Sequence, residues 1–138
     1  HNRIAKILVY ERQKHPITTT SQLSDIVSRA IPYRYRRSYY RIHPATRTFQ
    51  AVRIAVNREL EILESALSKA IGSLKSKGRV CVISFHSLED RIAKLTFRKF
   101  SSENSINIIT PKPLNPAQEE IEVNPSSRSA KLRVAERL

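Results

Sequence analysis

With 138 residues, 40% of them hydrophobic, the chain can bury one real core. Its formal net charge of +13 favours a polyanionic partner, most often nucleic acid. No apolar run approaches the ~20 residues of a membrane span, and the single cysteine, Cys81, excludes an intrachain disulfide and suits a reducing, cytoplasmic setting.

The charge is uneven. Residues 1–58 hold 12 basic and 2 acidic side chains, whereas residues 59–138 hold 13 and 10. No signal peptide is visible. The sequence begins at His1 and contains no methionine, which reads as a piece of a longer protein. It has two glycines and no Gly-rich strand-to-helix turn of the kind that holds a nucleotide.

Ile4, Ile7 and Leu8 lie on one side of a short helix over Arg3–Arg12, which stops near His15-Pro16. Thr19 and Gln22 have capping-box spacing, and Leu23, Ile26, Val27 and Ala30 continue a second helix that ends at Ile31-Pro32. Tyr33–Ile42 (YRYRRSYYRI) interleaves tyrosines with arginines. Arg34, Arg36, Arg37 and Arg41 can neutralise phosphates, and Tyr39 and Tyr40 can stack on unpaired bases. The alternative is a basic connecting loop whose tyrosines pack on neighbouring helices.

From His43 to Ile71 the spacing predicts one long amphipathic helix. Phe49, Val52, Val56, Leu60, Leu63, Leu67 and Ala70 recur at steps of three and four, and Pro44 suits its first position. After Gly72 and Gly78, the run Arg79–Phe85 reads as a buried strand of a parallel sheet, with Cys81 a buried structural thiol. The next segment, SFHSLEDR, opens a helix reaching about Lys99. Ser87 and Asp90 form its cap, and Leu88, Ile92 and Leu95 face inward. Ile106–Thr110 is a short strand, and Pro111–Asn124 an exposed acidic loop. Ser129–Arg137 is a final, partly exposed strand that pairs with Ile106–Thr110, with Ala130, Leu132 and Val134 on one side and Lys131 and Arg133 on the other.

No complete catalytic constellation emerges. His1, His15, His43 and His86 lack metal-ligand spacing, so no metal is expected, and no oxyanion turn accompanies His86, Ser87 and Asp90. His86 stands at the carboxyl end of a strand, where open α/β sheets bind ligands; otherwise it hydrogen-bonds its own loop.

The segments HPATRTFQAVRIAVNREL, VISFHSLEDR and NPSSRSAKLRVAER, with Gly78-Arg79, are similar to the C-terminal part of the bacterial-type ribosomal RNA methyltransferases called RsmH or MraW. The resemblance covers nearly all of residues 3–138. The family usually has Pro-Gly-Gly where this chain has Ser76-Lys77-Gly78. The resemblance implies an α/β fold: the C-terminal part of a Rossmann-like class I methyltransferase sheet, with part of an inserted helical subdomain. Residues 1–42 would be the rear of that RNA-facing insert, and residues 43–138 the catalytic domain's long helix, strand, second helix and final two strands.

The activity it implies is transfer of a methyl group from S-adenosylmethionine to the exocyclic N4 of a cytosine in small-subunit ribosomal RNA. The cofactor would be bound by an N-terminal half absent here, so this chain alone is expected to be inactive. Such an amine is a poor nucleophile and must be polarised, deprotonated and aligned, on a base that is unpaired or flipped. Ser84, His86 and Ser87 are the candidate catalytic-site residues. His43, Thr46, Arg47 and Gln50 are candidates for RNA binding, together with Arg34, Arg36, Arg37, Tyr39, Tyr40 and Arg41. Arg47 and His86 are expected to approach one cleft. The rival is a non-catalytic basic RNA-binding module. A half-sheet should also expose apolar surface beside Val80–Phe85 and lead to self-association, through the exposed sheet edge, or to marginal stability.

Overall fold

A computed structural model describes residues 2–32 and 43–138. His1 and the stretch 33–42, which carries Arg34, Arg36, Arg37, Tyr39, Tyr40 and Arg41, lie outside the described residues. The chain divides into two units, His1–Asn57 and Arg58–Leu138.

The first unit is helical. Helix α1 (Asn2–Lys14) packs on α2 (Thr20–Ala30). Thr19 caps α2: its hydroxyl accepts from Gln22 N at 3.2 Å, and Gln22 Oε1 accepts from Thr19 N at 3.1 Å. Ile26, Val27 and Ala30 are buried. Helix α3 (Thr46–Asn57) completes the unit.

The expected single helix over His43–Ile71 is two helices. Arg58 adopts the left-handed conformation (φ 52°), and α4 (Glu59–Ser73) starts afresh after it. Hydrophobic spacing runs through the junction, so the interruption is invisible to periodicity. Glu59 and Glu61 supply the carboxylates a new helix start favours, and Arg58 Nε donates to Glu61 at 2.7 Å. The break divides the apolar stripe. Val52 and Val56 are 44% and 75% exposed, whereas Leu67 and Ile71 are buried. Ala70, expected inward, is exposed.

The second unit is a three-stranded sheet with helices on one face. Its strands are β1 (Arg79–Ser84), β2 (Ile106–Ile108) and β3 (Lys131–Arg137), in the order β1-β3-β2. β3 is antiparallel to both neighbours, so β1 and β2 run in the same direction. The pairing expected between the last two strands is present. The parallel pairing expected for β1 is not found among the described residues, because a continuous apolar run does not distinguish strand direction. Helix α5 (Ser87–Ser102) covers the face bearing Val80, Val82 and Ala135, and Ala93 and Phe97 of α5 join Leu67, Ile71 and Ile106 in the core. Gly78 closes the turn before β1. A Cβ there would lie 2.8 Å from Lys75 O, too close for any other residue without a backbone shift.

On the opposite face, among the described residues, the β1 side chains are open and the β3 side chains Leu132 and Val134 are half-buried. Register places Cys81 beside Val134 and Ile83 beside Leu132 there. Cys81 is exposed rather than buried, and Ile83 and Phe85 are 61% and 55% exposed. The apolar run is thus half-covered: its even-numbered residues meet α5 and its odd-numbered ones do not.

Three further readings change. Residues 111–124 are not all loop, since Gln118–Val123 forms a short helix, α6. On α5, Leu88 and Leu95 are 48% and 49% exposed, while Ala93, Thr96 and Phe97 are buried. On β3, which is the central strand, Arg133 faces the interior at 5% exposure. On α5 the inward face is the one that carries Phe97, and on β3 it is the one that meets Asp90 of α5.

Candidate functional site

The turn from β1 into α5 is held by its own side chains. Ser84, 3% exposed, closes β1, and its hydroxyl lies 3.5 Å from Lys131 O. Glu89 Oε2 accepts from Phe85 N at 2.9 Å and from His86 N at 3.2 Å. His86 Nδ1 accepts from Glu89 N at 3.3 Å. The capping box is therefore His86 with Glu89, one residue before the predicted Ser87 with Asp90. Histidine is outside the usual N-cap set of Ser, Thr, Asp and Asn, so residue preference pointed to Ser87.

This bonding assigns the imidazole proton to Nε2 when His86 is neutral. Nε2 lies 3.3 Å from Glu89 Oε1, but it is enclosed and has no aligned hydrogen-bond partner among the described residues. The accessible groups at the turn are Ser87, Phe85 and Leu88.

Asp90 leaves the cap for a different task. Its carboxylate accepts from Arg133 Nε at 2.7 Å and Nη2 at 3.3 Å, and Lys131 Nζ lies 3.6 Å away. The forked contact matches guanidinium to carboxylate geometry. The Arg133 hydrogen bonds hold the Asp90 carboxyl below its usual range. Burial opposes them, and the positive charges of Arg133 and Lys131 add to them. The start of α5 is thereby tied to the central strand. Sequence reasoning missed this latch, because 43 positions separate Asp90 from Arg133 and no local spacing links them.

In the first unit, His43 organises the approach to α3. Its Nδ1 accepts from Ala45 N at 3.2 Å, its carbonyl accepts from Thr46 N at 3.0 Å, and Ala45 is fully buried. Thr46 and Arg47 are exposed. Thr46 and Gln50 line an open groove of about 610 Å³ with Phe49 and Arg53. Arg47 belongs to the first unit and His86 to the second.

The turn after β1 does not fit a nucleotide-like cofactor. Phe85 N, His86 N and Glu89 N, which would face such a ligand, are already taken by Glu89 and His86 side chains. Among the described residues no group of three or more His, Cys, Asp or Glu side chains could hold a metal ion. No described helix is long and apolar enough to cross a membrane.

Relatives of the chain carry the name Ribosomal RNA small subunit methyltransferase H. That of Sulfurihydrogenibium azorense is 54% identical over 136 residues, covering 99% of this chain and 46% of the relative. That of Persephonella marina is 52% identical over 136 residues, with the same shares. That of Clostridioides difficile is 47% identical over 151 residues, covering 99% and 48%. The chain spans about half the length of these relatives. The MraW methylase family matches residues 1–138, and the chain belongs to that family.

Proposed function

We propose that the whole protein transfers a methyl group from S-adenosylmethionine to the exocyclic N4 of a cytosine in small-subunit ribosomal RNA, and that this chain is its substrate-side half. The observation that carries this reading is identity of 47% to 54% across 99% of the chain with proteins named as small-subunit ribosomal RNA methyltransferases. Residues 1–42 serve as the rear of an RNA-facing insert, residues 43–138 close the methyltransferase domain, and the protein works in the cytoplasm.

The sheet supports a Rossmann-like placement. β1 and β2 share a direction with β3 reversed between them, and the outer edge of β1 has no strand partner among the described residues. Further strands parallel to β1 would extend the sheet there, and helices of the same half would cover Cys81, Ile83 and Phe85. In the isolated chain that open face favours self-association. With the chain dilute enough to be monomeric, Cys81 should react readily with a thiol reagent, and it should be protected in the full-length protein. Equal reactivity in both would refute the placement.

On this reading the cofactor is held by the other half, which agrees with the backbone N–H groups of the turn after β1 being engaged by Glu89 and His86 side chains. Calorimetry should detect no micromolar binding of S-adenosylmethionine by residues 1–138. Within this chain, Ser84 and His86 shape the turn, and Ser87 meets the substrate. His43, Thr46, Arg47 and Gln50 hold the RNA with Arg34, Arg36, Arg37, Tyr39, Tyr40 and Arg41.

The deciding experiment incubates full-length protein with tritiated S-adenosylmethionine and unmethylated small ribosomal subunits, then separates the nucleosides. Label in N4-methylated cytidine supports the reading. Tight RNA binding with no transfer would favour the non-catalytic RNA-binding alternative. In the active protein, Arg47→Ala should mainly weaken RNA binding and His86→Ala should mainly slow transfer.

A further inference from the structure

Helix α1 presents a cationic stripe away from its packing face. At 100° per residue, Arg3, Lys6, Tyr10 and Lys14 fall in one arc, beside the arc of Ile4, Ile7, Leu8 and Glu11. The first four are exposed, and the second four are partly covered as α1 packs on α2. The stripe spans about 16 Å at 1.5 Å rise per residue. Tyr10 is 58% exposed, with the Lys14 ammonium 3.9 Å from its ring centroid. Glu11 lies 3.7 Å from Lys14 Nζ, and among the described residues no ion pair engages Arg3 or Lys6.

We propose that this stripe binds single-stranded RNA, with Arg3, Lys6 and Lys14 meeting backbone phosphates and Tyr10 stacking on an unpaired base. The proposal rests on the RNA-methylation reading and adds to it a contact surface outside the turn and the α3 groove. Basic side chains supply the phosphate contacts that fix a strand's path, and an exposed ring between them accepts any base. The ring face now under the Lys14 ammonium becomes available when that ammonium turns to a phosphate. A basic helix can also lie on an anionic membrane, but it needs a free apolar face to insert. On α1 that face is turned onto α2.

The test measures binding of a short, mixed-sequence single-stranded RNA to the whole chain across a salt series. Replacing Arg3 and Lys6 by Ala should reduce the salt slope by about 1.4, at roughly 0.7 per phosphate contact on single strands. Tyr10→Ala should weaken binding at least about fivefold with little change of slope, and Tyr10→Phe should restore it. Arg12→Ala removes an exposed charge from another arc and should change the slope less than Arg3→Ala. An Arg12→Ala effect equal to that of Arg3→Ala would reduce the stripe to a diffuse field and overturn the proposal. So would unchanged affinity in Tyr10→Ala, or tighter binding of phosphatidylserine vesicles than of RNA. Methyl transfer by the full-length protein separates the two ideas. Normal transfer and normal RNA binding in the stripe variants sinks the stripe alone, whereas wild-type protein without transfer sinks the parent reading.

Discussion

The two units differ in one charge: the second buries a matched arginine, whereas the described residues of the first bury none. In residues 58–138, Arg133 is buried and forked onto Asp90, with Lys131 close by. In residues 2–57, Arg3, Lys6 and Arg47 stand in solvent. A charge withdrawn from water must be matched inside the fold, so the Arg133 charge serves architecture. A charge left in water contributes little to stability and stays available to a partner. Net charge alone therefore says less than its partition between matched and unmatched groups.

The strongest way to break that contrast is to unmatch the buried pair. Asp90→Asn leaves the Arg133 guanidinium uncompensated and should cost roughly 3 kcal/mol in urea unfolding, the lower end for a broken buried pair because Asp90 keeps some solvent contact. Acid should reproduce the loss. The folded-state pKa of Asp90 is depressed, so its stabilisation is complete above the unfolded value of about 3.9 and disappears as pH falls through the folded value. The stability gap between wild type and Asp90→Asn should shrink as pH is lowered below about 4. A gap independent of pH would mean that Asp90 acts through packing alone.

The helix caps offer a medium-sized comparison, one in each unit. Thr19→Ala and His86→Ala should each cost about 0.5–2 kcal/mol of stability. His86→Asn should retain the cap, because asparagine accepts the same backbone N–H. If His86→Asn also retains full methyl transfer, the role of His86 ends at the cap. If stability survives and transfer falls, the imidazole itself matters to the substrate site.

The smallest effect sharpens the contrast from the other side. Arg79 Nε and Glu136 Oε2 are 2.8 Å apart across β1 and β3, but the arginine side chain is 65% exposed. A double-mutant cycle on this pair should return a coupling below about 1 kcal/mol, despite a distance close to that of the Asp90–Arg133 contact. A coupling as large as the buried pair's would show that distance, not burial, governs ion pairs in this sheet.

Local signals were legible in the residues themselves. The helix over α1, the Thr19–Gln22 capping box, the end of α2 at Ile31-Pro32 and the strand before the SFHS turn depend on contacts within a few positions. The residues around His43 and His86 marked two segments where local hydrogen bonding is dense. The break at Arg58 was hidden because hydrophobic periodicity does not register a single left-handed residue. The cap at His86 was hidden because an imidazole replaced the usual hydroxyl or carboxylate.

By itself the sequence determined the first two helices, the strand that turns into a helix at SFHS, the last strand pair, the uneven charge and the family motifs, all of which reside in neighbouring residues or in composition. Tertiary structure alone decided that β3 enters between β1 and β2. It also decided that Cys81 lies on the open face and that Arg133 turns inward to Asp90. The physical reason is that strand partners, burial and ion pairing depend on which distant surfaces meet, and an arginine reads as outward until a carboxylate 43 positions away lies opposite it.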